Sequence, residues 1–315
     1  MTALPTFDEL HRLADRQAPG LGVAVAGGDD PTVLQALESA VERGWIRPRV
    51  FGPERAVRSM ADEIGVRLKG MDLVSCEADD VARAAVAEVS AGGAGAVMKG
   101  QIATPTLMKS VLDAREGLRT GRVICQVVLM EILHDGRRFL LADTGITVRP
   151  DLEEKDDILR SSVEVARALG TERPRVALMA ATETVKPSMP ETLDAEALTK
   201  RHEARGDPDF LVQGPLSFDL AYAPQAGARK RLAGAVVGAA DAMVFPDLLS
   251  ANLTVKAIMY TADCRFGGVL RGTSAPVVFM SRADDMATRL NSLALTLAIL
   301  RSDLRGQEAR PRERL

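Results

Sequence analysis

The strongest constraint on the fold is a regular alternation of short apolar runs with amphipathic segments early in the chain. Apolar runs at 21–26 and 95–98 predict buried strands, and the segment 32–43 predicts a helix because its apolar residues recur three or four apart. Strands that alternate with helices through short loops are typical of a parallel sheet covered by helices. The predicted fold class is therefore α/β.

Composition argues against several classes of partner. The chain has 315 residues, a net charge of −3 and 3% aromatic residues. This charge gives no attraction to nucleic acid or to an anionic membrane surface, and few rings are available to stack on bases. No apolar run approaches the roughly 20 residues of a membrane span. Three widely separated cysteines, Cys76, Cys125 and Cys264, favour a reducing cytoplasm and show no disulfide framework or metal-ligand spacing.

A second alternating series begins near residue 175. It includes a predicted strand at 209–212 and a predicted helix at 225–239. Upstream of it, two apolar runs flank His134-Asp-Gly136, which is typical of a hairpin turn. The same kinds of element therefore occur again in the second half of the chain.

Two alternating series predict two αβα domains. The first is expected to comprise residues 1–142 together with 272–315, because the two ends of a chain commonly lie together. The second is expected to comprise residues 143–271. A cleft between two such domains is the usual place for a substrate.

Polar residues follow the last apolar run. The run 277–280 ends at Ser281 and Arg282, and a helix with apolar residues recurring from Met286 to Leu300 comes next. Ligands of open α/β sheets bind where strands end, and a guanidinium fork fits phosphate. An ordinary structural role fits as well, with Ser281 as a helix N-cap and Arg282 as a surface charge.

Further polar side chains are candidates on similar grounds. Lys99 ends a predicted strand, and Thr104 is placed to cap the helix that follows. In the second series Asn252, Lys256 and Tyr260 are spaced four apart and share one helical face. Polar residues spaced four apart on a helix more often mark a face that is exposed to solvent than a ligand site.

No metal or triad chemistry is indicated. The acidic run 151–157 suits the first turn of a helix, where carboxylates favour the macrodipole. His11, His134 and His202 show no paired spacing. Neither a zinc site nor a Ser-His-Asp triad is therefore expected.

Several segments taken together, in order and spacing, resemble the phosphate acetyltransferase/phosphate butyryltransferase family. The resemblance runs from about residue 94 to residue 300, while residues 1–90 match only in general layout. The segments that carry it are Met98-Lys-Gly100, Gly117-Leu-Arg-Thr-Gly-Arg122, Pro150-Asp-Leu-Glu-Glu-Lys155, Val212-Gln-Gly-Pro215, Val244-Phe-Pro-Asp247, Asn252 with Lys256, and Ala275-Pro-Val-Val278 leading into Ser281-Arg-Ala-Asp284.

The resemblance implies a reaction in which acyl-CoA and phosphate reversibly give acyl phosphate and CoA. It implies a fold like that of the isocitrate and isopropylmalate dehydrogenases, a homodimer or larger homo-oligomer, and no tightly bound cofactor, since CoA is a substrate. Ser281 and Arg282 would be catalytic. The residues expected to bind substrate are Lys99, Thr104, Asp143, Gly214, Pro215, Asn252, Lys256, Tyr260 and Asp284.

Departures from the acetyltransferase pattern favour the butyryl branch. Acetyltransferases of the family place an aspartate, the presumed base for the CoA thiol, where this chain has Thr288, so Asp284 or Asp143 becomes the candidate base. They place an arginine where this chain has Tyr260. The segment Leu249-Ser-Ala-Asn252 also departs from the Glu-Ala-Gly-Asn of both branches.

Two other functions remain open on sequence grounds. A metal- and NAD(P)-dependent decarboxylating dehydrogenase of the same fold should show aspartates four apart on a helix, and Asp247 with Ala251 does not supply them. A non-catalytic acyl-CoA or phosphate sensor would keep the fold and lose the base. Thr288 is the one argument for that alternative.

Overall fold

The computed structural model of the chain describes residues 3–16, 20–207, 209–279, 281 and 284–308. The fold is mixed α/β. The chain divides into two compact units, here called the terminal unit, Phe7–Arg122 with Gly267–Leu315, and the central unit, Met1–Thr6 with Val123–Phe266. The boundaries at 142 and 272 that the sequence suggests stay a prediction.

Helices and strands alternate from the start of the described chain. The elements of its first part are α1 Phe7–Asp15, β1 Leu21–Ala26, α2 Pro31–Glu42, β2 Ile46–Gly52, α3 Glu54–Ile64, β3 Asp72–Ser75, α4 Val81–Ser90, β4 Ala96–Lys99 and α5 Thr104–Val111. A short 3-10 helix, Ala78–Asp80, precedes α4.

The later elements begin with a hairpin and then alternate again. They are β5 Cys125–Ile132, β6 Arg138–Ala142, α6 Leu152–Ala168, β7 Arg175–Met179, α7 Pro190–Arg205, β8 Leu211–Leu216, α8 Phe218–Tyr222, α9 Pro224–Lys230, β9 Ala242–Val244, α10 Leu248–Thr261, β10 Cys264–Arg271, β11 Val277–Val278 and α11 Met286–Glu308. None of the described helices combines the length and apolar character needed to cross a membrane.

In the terminal unit the strands lie in the order β3-β2-β1-β4-β11-β10. All neighbours are parallel except β10 and β11. The register pairs Ala26 with Lys99 and Met98 with Val278. The carboxyl ends of β1, β4 and β11 therefore meet at one edge of the sheet, although β11 lies far from the other two in sequence.

In the central unit the strand order is β5-β6-β9-β7-β8. The hairpin predicted around His134-Asp-Gly136 is confirmed by the antiparallel pairing of β5 with β6. The pairs β6–β9, β9–β7 and β7–β8 are parallel. The carboxyl ends of β6, β7, β8 and β9 therefore also share one edge.

Helix α11 is more deeply buried than an amphipathic helix. The sequence predicts one apolar face, but every residue from Thr288 to Ile299 is buried. The helix packs against α1, α2 and β11 of the same unit, which cover it on several sides. Two of its polar side chains are bonded internally: Asn291 Oδ1 lies 3.0 Å from His11 Nε2, and Ser292 Oγ accepts from Gly268 N at 2.9 Å.

The single long helix predicted at 225–239 is wrong. Helix α9 ends at Lys230, and Arg231 adopts a left-handed conformation with φ 55°. Gly234 and Gly238 also have positive φ, at 156° and 68°, which a continuous helix does not allow. The strand predicted at 209–212 likewise begins later, and β8 continues to Leu216.

Candidate functional site

The loops after β1 and β4 lie side by side at the strand edge of the terminal unit. Gly100 N donates to Ala26 O at 2.9 Å, and Gln101 N donates to Gly27 O at 3.0 Å. A Cβ on Gly100 would lie 1.7 Å from Gly27 O, so this approach requires glycine. The Met-Lys-Gly segment thus fixes the position of Lys99 against the neighbouring loop.

Lys99 is 2% exposed at the end of β4, and its Nζ donates to Gly100 O at 3.4 Å. A lysine is rarely buried unless its charge is compensated or used. Lys99 is therefore not an ordinary surface lysine whose ammonium group lies in water. It places an ammonium group at the edge where a ligand of an α/β sheet binds.

Thr104 does not cap α5, so that prediction is wrong. Thr104 is the first residue of the helix, and Ala103 occupies the N-cap position without a side-chain hydrogen bond. Thr104 is half-buried, and within the described part of the chain no group bonds its hydroxyl. The first-turn N–H groups and this hydroxyl are therefore donors that an anion can use.

Ser281 lies beyond β11, at the same edge as Lys99. Ser281 N donates to Asp284 Oδ2 at 2.7 Å, and Asp284 N donates to Ser281 O at 3.3 Å. The cap of α11 is Asp285, whose Oδ1 accepts from Thr288 N at 2.8 Å, so Ser281 is not the N-cap. Ser281 is exposed. Arg282, the second predicted catalytic residue, lies outside the described residues.

A functional candidate that the sequence reasoning missed is Arg289. It is 1% exposed, its Nε donates to Thr32 Oγ1 at 2.8 Å, and its Nη2 lies 3.9 Å from Asp30 Oδ1. Burial lowers the pKa of Arg289, and the neighbouring aspartates oppose this. Asp30 itself caps α2 by accepting from Val33 N at 2.9 Å.

Arg289 therefore ties the first turn of α11 to the first turn of α2. A signal for it existed in the sequence. Arg289 is spaced four and eight residues from Leu293 and Leu297, which places it on the buried face of the predicted helix.

Asp143 lies at the strand edge of the central unit, directly after β6, and is 3% exposed. Its Oδ1 accepts from the backbone N–H of Gln126, Gly145 and Ile146, and its Oδ2 accepts from Thr147 N at 2.7 Å. Burial raises the pKa of Asp143, and these four N–H donors oppose the rise. The carboxylate thereby holds the shape of the loop 143–147.

Asn252 joins helix α10 to that loop, because its Nδ2 donates to Thr144 O at 3.1 Å. Helix α10 packs on the core of the central unit through Ala251 and Val255. Lys256 and Tyr260 are exposed on this helix, Tyr260 to 78%. Of the three residues that share the predicted face, Asn252 is thus fixed by contacts and the other two extend toward solvent.

Gly214 and Pro215 lie inside β8 instead of in a loop after it. A Cβ on Gly214 would lie 2.6 Å from Leu178 Cβ, so the strand packs closely on β7 there. Gly214 O accepts from Thr199 Oγ1 at 3.3 Å, and Pro215 is buried. Both residues lie one to two positions before the carboxyl end of the strand.

No cluster of three or more His, Cys, Asp or Glu side chains suited to a metal ion occurs among the described residues. The three cysteines are free thiols. Burial raises the pKa of the Cys76 and Cys264 thiols, which keeps them protonated and poorly nucleophilic.

Comparison with known proteins identifies relatives over most of the chain. Residues 74–297 match the profile of a family described as phosphate acetyl/butaryl transferase. The chain is 38% identical over 278 residues to the phosphate butyryltransferase of Clostridium acetobutylicum, covering 88% of this chain and 92% of that one. It is 35% identical over 277 residues to the phosphate acetyltransferase of Thermotoga maritima, covering 88% and 94%.

A solved structure also matches. The branched-chain phosphotransacylase of Enterococcus faecalis V583 superimposes with a TM-score of 0.79 at 30% sequence identity, covering 89% of this chain and 99% of that one. Sequence and structure comparisons therefore agree on the same group of proteins.

Proposed function

The chain belongs to the phosphate acetyltransferase/phosphate butyryltransferase family, and we propose that it transfers a short acyl group reversibly between CoA and inorganic phosphate. In one direction a phosphate oxygen attacks the thioester carbon, the C–S bond breaks, and CoA leaves as the thiol with a proton. In the other direction the CoA thiolate attacks the acyl phosphate and phosphate leaves. Neither direction needs a nucleophile from the enzyme or a tightly bound cofactor.

The observation that carries this proposal is the parallel pairing of β4 with β11. This pairing brings Lys99 and Ser281 to the ends of adjacent strands, with the first turn of α5 at the same edge. An ammonium group, hydroxyls and unpaired helix N–H groups together suit a phosphate dianion. The proposed phosphate subsite therefore consists of Lys99, Thr104 and Ser281.

Ser281 is proposed to donate to the acyl oxygen, on which negative charge builds in the transition state. Hydrogen-bond donors that are already in place stabilise such a charge, and losing one typically costs about 10²–10³ in kcat. Arg282 is proposed to act beside it on the phosphate or on the same charge. Its guanidinium fork matches either anion.

The base that activates the CoA thiol is proposed to be Asp284 or Asp143, since Thr288 stands at the position of the usual aspartate. Both carboxylates are bonded to backbone N–H groups. Asp284 shares the edge of Ser281, which favours it on grounds of proximity. A thiol of pKa about 8.5 is mostly protonated at neutral pH, so such a base speeds the step.

The central unit is proposed to bind the acyl-CoA through Asp143, Gly214, Pro215, Asn252, Lys256 and Tyr260. A preference for butyryl or branched chains over acetyl is part of the proposal and rests on Tyr260 and Thr288. The finer fold, that of the isocitrate and isopropylmalate dehydrogenases with domains 1–142 plus 272–315 and 143–271, is proposed as well. So is a cytoplasmic location.

A homodimer or larger homo-oligomer is also proposed. It is supported by an exposed apolar stripe on α10, formed by Leu249 and Leu253 one turn apart, which are 69% and 60% exposed. Contiguous exposed apolar surface commonly marks a contact with another protein. Light scattering of the purified protein should give at least twice the mass of one chain, and Leu253→Asp should lower it.

The experiment that tests the function is thiol release from butyryl-CoA with and without phosphate. We expect release that requires phosphate or arsenate, since arsenate can replace phosphate as the acceptor and the resulting acyl arsenate, a mixed anhydride, is hydrolysed by water. Equal release without either oxyanion would identify a thioesterase and reject the proposal.

In Arg282→Lys, a raised KM for phosphate indicates ground-state binding, and an equal fall in kcat and kcat/KM indicates a transition-state role. Kinetics of a folded Arg282→Lys protein that match the wild type would remove Arg282 from the site.

The comparisons do not favour the dehydrogenase alternative, because the matched relatives named above are acyltransferases. The non-catalytic sensor is excluded by the same assay if phosphate-dependent turnover is observed.

A further inference from the structure

A cavity of about 560 Å³ lies at the carboxyl ends of β7, β8 and β9 in the central unit. Its walls come from Met179 at the end of β7, Phe218 after β8 and Phe245 after β9, and from the first two turns of α10. This volume is within the range of small-molecule sites, about 300–1,000 Å³.

The cavity is bordered by the loops that carry the proposed acyl-CoA residues. Phe245 N donates to Ala142 O at 2.7 Å, and Asp143 is the next residue along that strand. Ser217, which lines the cavity, follows Pro215 by two positions. The lining residues Ser250 and Thr254 flank Asn252 on α10. A group held in this cavity is therefore next to the proposed site within the same unit.

The hydroxyls of the lining are already bonded within the protein. Ser250 Oγ donates to Asp247 O at 3.0 Å, and Thr254 Oγ1 donates to Ser250 O at 2.8 Å. Ser217 Oγ donates to Asp219 Oδ1 at 2.5 Å and accepts from Lys230 Nζ at 3.0 Å. The lining also includes the apolar residues Met179, Ala180, Phe218, Phe245 and Pro246, which an occupant can contact.

The charges of the lining disfavour an anionic occupant. Two helix N-termini face the cavity, and each already carries a carboxylate of its own: Asp247 caps α10 by accepting from Ser250 N at 2.8 Å, and Glu191 lies in the first turn of α7. Within the described part of the chain Glu191 forms no ion pair or side-chain hydrogen bond. Lys230, which donates to the lining residue Ser217, pairs with Asp219 at 3.1 Å and lies 3.6 Å from Glu183.

We propose that this cavity binds the uncharged aliphatic chain of the acyl group, and that Glu191 excludes acyl chains that end in a carboxylate. Apolar walls favour the methylene groups of a chain at about 0.8 kcal/mol per buried CH₂. A second carboxylate in the cavity would meet the carboxylates of Glu191 and Asp247. This inference rests on the acyltransferase function proposed above.

The test compares butyryl-CoA with succinyl-CoA, which have the same number of acyl carbons and differ by the terminal carboxylate. Wild-type protein should show a kcat/KM for succinyl-CoA at least about 100-fold lower than for butyryl-CoA, given the strength of like-charge repulsion at low dielectric. Glu191→Gln keeps the size of the side chain and removes the charge. It should raise the succinyl-to-butyryl ratio about tenfold.

A matched control is Glu196→Gln on the same helix, which pairs with Lys200 at 2.7 Å and does not line the cavity. Its ratio should equal that of the wild type. A wild-type protein that uses succinyl-CoA as well as butyryl-CoA, or a ratio unmoved in Glu191→Gln, overturns the inference while phosphate-dependent thiol release still stands. Absence of phosphate-dependent release with every thioester would instead reject the proposed function.

The apolar wall is tested separately with Phe245→Leu, a change that keeps an apolar residue at a site 6% exposed. The smaller side chain should extend the cavity and raise the hexanoyl-to-butyryl ratio of kcat/KM about fourfold, which corresponds to about 0.8 kcal/mol for one further buried CH₂. A thermal unfolding curve confirms that the variant is folded. An unchanged ratio in the folded variant would mean that the chain does not contact Phe245.

Discussion

The strand edges of the two units differ in the charged side chains that they bury. In the terminal unit the edge buries cations together with carboxylates: Lys99 and Arg289 lie there with Asp30 and Asp284. In the central unit the carboxylate of Asp143 is bonded to four backbone N–H groups, and the adjoining cavity has apolar walls. Both edges have the same origin, the carboxyl ends of parallel strands, but different side chains.

This difference matters because a buried charge is costly unless it is paired or used. The terminal edge is proposed to bind phosphate through its cations and N–H donors, and the central edge is proposed to bind the uncharged acyl chain.

The largest expected effect comes from removing the cation of the terminal edge. Lys99→Met keeps the length and apolar stem of the side chain but loses the ammonium group. We expect kcat/KM for phosphate to fall about 10²–10³, the loss typical of one donor placed for the transition state. Lys69→Met on the exposed surface of the same unit is the control. A Lys99→Met enzyme within twofold of the wild type would end the assignment of the phosphate subsite.

The second prediction concerns Arg289, the other buried cation of the terminal edge, and tests whether it stabilises the fold. Arg289→Leu should lower the free energy of unfolding by about 3 kcal/mol, because it removes the buried guanidinium that bonds Thr32 Oγ1 and lies beside the Asp30 carboxylate. Urea unfolding measures this. Arg58→Leu, which breaks an exposed pair with Glu54, should change it by about 0.5 kcal/mol or less. Similar values for the two variants would show that Arg289 does not hold α11 to α2.

The third prediction concerns the carboxylate of the central edge. Asp143→Asn keeps one acceptor oxygen but turns an NH₂ group toward Thr147 N–H, so the free energy of unfolding should fall by about 1–3 kcal/mol. Asp113 offers a matched control, since its carboxylate also accepts from two backbone N–H groups but is exposed. Equal losses in Asp143→Asn and Asp113→Asn would mean that burial adds nothing at Asp143.

The smallest effect is expected at the exposed cation of the central unit. Lys256→Ala should raise KM for butyryl-CoA by about fivefold or less, because an exposed charge contributes about 1 kcal/mol at most. The effect should disappear when the ionic strength is raised to about 1 M, where the screening length is about 3 Å. An effect of the same size at low and high salt would point to a contact other than charge.

Helix ends were predictable where the sequence carries its own stop signal. The sequence predicts helices at 54–64 and 190–205, and α3 and α7 have these bounds. Each helix ends at a glycine with positive φ, Gly65 at 71° and Gly206 at 61°. The segment 225–239 failed because its apolar spacing suited a helix while Gly234 and Gly238 required turns. The spacing of apolar residues indicates which side chains are buried, and it does not indicate the backbone conformation.

The candidate site was predictable in its residue types but not in its contacts. Lys99 and Ser281 follow apolar runs, which is a local signal, whereas the β4–β11 pairing that brings their strands together joins residues far apart in sequence. Arg289 was missed because a charged residue on a buried helical face has to be checked against a partner. That partner, Thr32, lies on another helix.

The central claim is tested most directly by ³¹P NMR of a mixture of butyryl-CoA, phosphate and the protein, with free thiol measured on the same sample. The account predicts a new acyl phosphate resonance and one free thiol for each acyl phosphate formed. It also predicts that Lys99→Met suppresses both together. Thiol release without an acyl phosphate resonance, or an unchanged spectrum with wild-type protein confirmed as folded, would contradict this prediction.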